Sequence, residues 1–72
     1  MSPDQFARTG QLLYGNDEQW QTRFRDALEV GGWTYQQWLA GGLPVPDNLA
    51  GKLRLALEVR ATEIVQLLDE MA

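Results

Sequence analysis

The chain contains neither cysteine nor histidine. Their absence removes disulfide frameworks, thiol nucleophiles, thiolate and imidazole zinc sites, and imidazole general bases together. Positive charge is also scarce: six Lys and Arg stand against ten Asp and Glu, a net charge of −4 over 72 residues. Proteins that grip a phosphate backbone cluster Lys and Arg. This balance therefore predicts modest affinity for nucleic acid and suits a basic protein partner better. No apolar run approaches the roughly 20 residues of a membrane span. The N-terminus is polar and mixed, without the pattern of a signal peptide. These features lead us to expect a cytoplasmic protein with no membrane partner. Seventy-two residues make one domain, spanning 1–72. A chain of that size buries only about 60% of its unfolded surface, so its core is marginal.

What is present is helical periodicity. Ser2 and Pro3 suit the cap and first position of a helix, and Asp4 complements its dipole. Phe6, Gly10 and Leu13 then repeat at four and three, with Leu12 and Tyr14 widening the face. Gly10 in a helix interior costs about 1 kcal/mol against Ala, which points to another helix approaching closely there. Gly15 is a natural stop, and Asn16-Asp17-Glu18 reads as a loop or a cap. Trp20 is expected in the core, because aromatic side chains dominate small cores. Gly41-Gly42-Leu43-Pro44-Val45-Pro46 excludes regular structure, with Leu43 and Val45 expected to tuck under the core. Pro46 is expected at the first position of a final helix. There Leu49, Leu53, Ala56, Leu57, Ala61, Ile64, Leu68 and Met71 keep spacings of three and four almost to the chain end. At 1.5 Å per residue such a helix spans close to 40 Å. It must either bend near Glu58–Ala61 or run out of the body.

The expectation is an all-α domain of about four helices near 3–14, 17–28, 33–40 and 46–71, without strands. Its expected core is Phe6, Leu13, Phe24, Leu28, Val30, Tyr35, Trp38, Leu49 and Leu53. The apolar stripe Ile64, Leu67, Leu68 and Met71 exceeds what a small body covers, and stripes of that kind usually meet a partner. A two-fold symmetric homodimer through the C-terminal helix is expected; the alternative is that the stripe folds back against the first helix.

Residues 21–41 organise the rest. Phe24 and Leu28 lie four apart, on one face of a short helix; Tyr35, Trp38 and Leu39 lie at three and four on the next. Glu29-Val30-Gly31-Gly32 is long enough only for a turn. Two helices so joined form a helix-turn-helix unit. The stretch resembles the Cro/CI-like (lambda-repressor-like) regulators of phages and prophages. Their pattern is Gln-x-x-Leu-Ala-x-x-x-Gly-Val-Ser-x-x-x-Val-x-x-Trp, often followed by a Gly-containing loop. Gln21, Phe24, Val30, Tyr35, Trp38 and Gly41 fall on matching positions without gaps. The sequence departs from the pattern at Arg25, in place of a small Ala, and at Glu29, in place of the turn Gly. It departs again at Gly31, Gly32 and Trp33, in place of polar residues that reach base edges. A slipped turn, with Gly31 taking the left-handed conformation, would spare Glu29 about 1–2 kcal/mol.

The resemblance implies a small DNA-binding regulator that recognises a double-stranded operator as a dimer through its third helix. Gln21 occupies a family position that touches the DNA backbone. Gln36 and Gln37 have the chemistry to read adenine in the major groove, and Thr22, Arg23, Arg25 and Thr34 can add phosphate contacts. Trp33 is the anomaly. Exposed, it would read bases poorly but anchor a protein partner well; with a slipped turn it would instead fold back onto the core. The alternative reading is therefore a scaffold that no longer reads DNA and binds a protein, such as a phage-encoded inhibitor of a host or defence complex. No enzymatic role is expected. No carboxylate pair has a spacing that suggests acid–base work, and no strand precedes a glycine-rich phosphate loop. Asp17-Glu18 alone falls short of the six or more oxygens of a hard-cation site. Catalytic residues, metals and cofactors are all expected to be absent.

Overall fold

A computed structural model describes every residue except Asn16, so that part of the expected polar loop lies outside the described residues. The described residues form four helices and no strand: α1 Pro3–Tyr14, α2 Trp20–Leu28, α3 Gly32–Ala40 and α4 Asp47–Met71. The fold is all-α, with a helix-turn-helix pair in the middle and a long last helix.

The ends of α1 follow from its sequence. Ser2 Oγ accepts from the Gln5 N–H at 3.1 Å, and Gln5 Oε1 accepts from the Ser2 N–H at 2.9 Å. This capping box satisfies two donors that the first turn leaves free. Gly15, at φ +94°, ends the helix as expected. The start of α2 differs from expectation. The helix begins at Trp20 rather than at residue 17, because Asp17 builds a turn instead. Asp17 Oδ1 accepts from the Gln19 N–H at 2.9 Å, and the Trp20 N–H donates to the Asp17 carbonyl at 3.3 Å. A short Asp side chain competing for nearby N–H groups favours a turn over a helix.

α1 is the central element: α2, α3 and α4 each pack against it. The fully buried centre is aromatic. Phe6 lies 4.9 Å from Phe24, 5.9 Å from Tyr35 and 5.7 Å from Trp38, centroid to centroid, the last pair edge to face. Tilted and edge-on pairs of this kind contribute about 0.5–1.5 kcal/mol each beyond area burial. Val45 and Leu53 complete the buried set. Leu13, Leu28, Val30 and Leu49, expected in the core, are half-buried against it, as are Trp20 and Tyr14. Gly10 shows why a glycine stands in α1. A Cβ there would run into the rings of Phe24 and Trp20, so its absence lets α2 close on α1.

α4 starts at Asp47, one residue later than expected, and Pro46 is its cap rather than its first position. With ψ at 144° Pro46 is extended, and its carbonyl accepts from the Ala50 N–H at 2.9 Å. The loop before it buries Val45 but leaves Leu43 exposed, contrary to expectation for Leu43. From Glu58 onward every residue of α4 is exposed. The helix leaves the body, which accounts for an extent of 44 Å along a molecule 26 × 19 Å across.

Candidate nucleic-acid interface

The turn between α2 and α3 spans Glu29–Gly31. Glu29 takes the left-handed conformation, φ 56° and ψ 38°, and is the only non-glycine described with positive φ. The slipped turn expected from the glycines is not found. Gly31 is extended at φ −65° and ψ 152°, serving as the cap of α3. A cap must lie outside helical geometry, so the reversal falls to Glu29. There its N–H donates to the Arg25 and Asp26 carbonyls at 3.2 and 3.3 Å and closes α2. α3 then starts at Gly32, one residue before the expected start. At its other end the Gly41 and Gly42 N–H groups both donate to the Gln37 carbonyl at 2.9 Å.

α3 buries Tyr35 and Trp38 and half-buries Thr34, Gln37 and Leu39. Its outer face is Gly32, Trp33, Gln36 and Ala40, all exposed. Trp33 is 68% exposed, so the expected folding back onto the core does not occur. The geometry explains this. With α3 starting at Gly32, position 33 falls well round the helix from the buried Tyr35 and Trp38. The expected site residues thus separate. Gln36 projects from the outer face, whereas Gln37 lies with its side-chain oxygen against Gly42 at the end of its own helix. Gln21, Thr22 and Arg25 are exposed on α2.

Arg23, expected to reach phosphates, is held elsewhere. Its Nε and one terminal nitrogen donate to the Tyr14 carbonyl at 2.9 and 2.5 Å, and that nitrogen also bonds Asp17 Oδ1 at 2.7 Å. The guanidinium satisfies the C-terminal end of α1 and ties it to α2. Its hydrogen bond, together with that from Gln19, holds the Asp17 carboxyl below the usual carboxylate range. Charge on this surface therefore reduces to Arg25 against Asp26 and Glu29. Beneath it, burial pushes the Tyr35 phenol above its ordinary pKa, with the Arg25 charge acting the opposite way. The Tyr35 hydroxyl is buried and has no hydrogen-bond partner among the described residues.

Sequence reasoning passed over Arg60. Its guanidinium donates to the Leu13 carbonyl at 3.1 Å, clamping α4 to the end of α1 at the point where α4 leaves the body. An Arg interrupting a run of apolar seam positions was the available signal. Among the described residues no three His, Cys, Asp or Glu side chains gather as a metal site, and no helix is long and apolar enough to cross a membrane. No family model, curated protein or solved structure matches this chain.

Proposed function

We propose that the protein is a small DNA-binding regulator of Cro/CI type that docks α3 on an operator and acts as a homodimer through α4. The observation that carries this reading is the outer face of α3. It is exposed and backed by an aromatic core, and the preceding α2 carries Gln21, Thr22 and Arg25 exposed as well. A helix so presented has the shape to enter a major groove. Gln36 is its base reader and Trp33 its apolar contact, for which a thymine methyl is the natural counterpart. Phosphate contacts are few, because Arg23 is bound to Tyr14 and Asp17. Specificity then rests on base edges and on the doubling of sites in a dimer rather than on bulk charge.

The 68% exposure of Trp33 favours a second reading, in which the same face anchors a protein partner. Selection from random duplexes at moderate salt separates the two. The first reading expects an enriched two-fold symmetric motif. A pool that stays random overturns it and leaves the protein partner in its place.

A further inference from the structure

Along α4, Leu53, Leu57, Arg60, Ile64, Leu67 and Met71 alternate at four and three, a heptad seam on one side of the helix. The body covers only its first part. Leu53 is buried and Leu57 half-buried where α1 packs on α4, and Arg60 closes that contact at the Leu13 carbonyl. Beyond Arg60 the same seam continues with nothing over it: Ile64, Leu67 and Met71 are 52%, 55% and 75% exposed, and Leu68 beside them is 61% exposed. The helix that fills the seam over the body has run out, and the seam has not.

We infer that a second copy of this chain fills it, with the two α4 helices antiparallel and residues 60–71 of each laid on residues 60–71 of the other. Two observations fix the direction. Packed helices lie about 8–10 Å apart, and α1, itself about 10 Å thick, already occupies the seam side of α4 in each body. A parallel pair would drive one α1 into the other. An antiparallel pair sets the bodies at opposite ends, and each α4 ends where the other chain's α1 ends. Charge agrees. Parallel pairing sets Arg60 against Arg60. In the antiparallel register Ile64 opposes Leu67, and Arg60 opposes Met71, within reach of Glu70 of the second copy. Arg60 then lies between that carboxylate and its own Glu63, the charge that the two acids on that flank need.

The register also sets a distance. From Leu53 to Leu53 of the second copy is about 25 residue steps, about 37 Å along the helix axis at 1.5 Å per step. Resting on the operator reading above, this sets how far apart the two bodies that carry α3 sit along the paired helices.

The natural absence of cysteine makes the test clean. Arg60→Cys and Met71→Cys, both at exposed positions, are made separately and treated without DNA with a short thiol-reactive crosslinker, alone and mixed. The antiparallel pair predicts covalent dimers in the mixture and none from either variant alone. Met71→Cys crosslinking to itself as readily as the mixture would show parallel helices and overturn the inference. So would wild type sedimenting as a monomer at tens of micromolar with no variant crosslinking. Because DNA is absent, these outcomes stand whatever becomes of the operator reading. Crosslinking as predicted with no duplex selected refutes that reading alone.

Discussion

Glu29 and Gly10 are the residues where backbone and packing set the tightest terms. A left-handed Glu costs about 1–2 kcal/mol that a glycine would not, less the extra chain entropy a glycine loses on folding. Glu29→Gly should therefore raise stability by about 0.5–1 kcal/mol in denaturant titration. A loss would mean that the Glu29 side chain makes a contribution its exposed position does not suggest. Gly10→Ala should do the reverse. The added methyl meets the Phe24 and Trp20 rings, and overpacking of that kind costs about 1–3 kcal/mol, more than the helix propensity it gains. The close approach at Gly10 was legible because a glycine at an apolar helix position weakens the helix unless a neighbour packs onto its bare backbone. The left-handed Glu29 was not. With two glycines next to it, the cheaper site for the reversal looked like Gly31, and only the capping geometry of α3 excludes that. Tyr35 adds a pH dependence. Burial raises its folded pKa above the ordinary value of 10.0. The stability this brings is complete below that value and is lost as pH rises through the folded pKa. Unfolding midpoints between neutral and strongly alkaline pH should fall in wild type and fall less in Tyr35→Phe.

Among the elements, the C-terminal end of α1 is tied to α2 by one guanidinium. Arg23→Ala removes the guanidinium from the Tyr14 carbonyl and leaves the Asp17 carboxylate with the Gln19 N–H alone. The depressed Asp17 pKa gives the sign of the acid response. Its contribution is present above the ordinary carboxylate value of 3.8 and is lost as pH falls through the lower folded value. Asp17→Asn should flatten the acid limb of a stability–pH profile, and an unchanged limb would place the acid sensitivity elsewhere. Sequence points Arg23 at phosphates because it shows an Arg on a helix and not the carbonyls at the end of the preceding one. The course of α4 was easier to read. Periodicity gave a helix too long for its body, and the exit at Arg60 only chose between bending and leaving. Leu43 and Val45 were less legible. In a loop of Gly and Pro no period tells which apolar residue turns inward, and only Val45 does.

At the scale of the molecule, the aromatic centre carries the fold. Trp38 packs edge to face on Phe6 and is 7% exposed. Trp38→Ala should cost about 3–5 kcal/mol, comparable to the whole stability of a domain this size at roughly 0.05–0.15 kcal/mol per residue. A cooperatively folded Trp38→Ala variant would place the core elsewhere. On the proposed operator reading, binding to DNA should depend weakly on salt. With Arg23 occupied, Arg25 is the one basic side chain left free in each helix-turn-helix. At a slope of about −0.9 per neutralised phosphate, a dimer contacting through it alone would show a slope near −2. A much steeper slope would bring Arg8, Lys52 or Arg54 into the interface. The most direct measurement is the dissociation constant of the selected duplex for wild type and for Gln36→Ala, with circular dichroism confirming equal folding. A lost base contact of about 1–3 kcal/mol predicts binding weakened roughly 5- to 150-fold, with the sequence preference relaxed. An unchanged constant and an unchanged preference would contradict the assignment of the outer face of α3 as the surface that reads DNA.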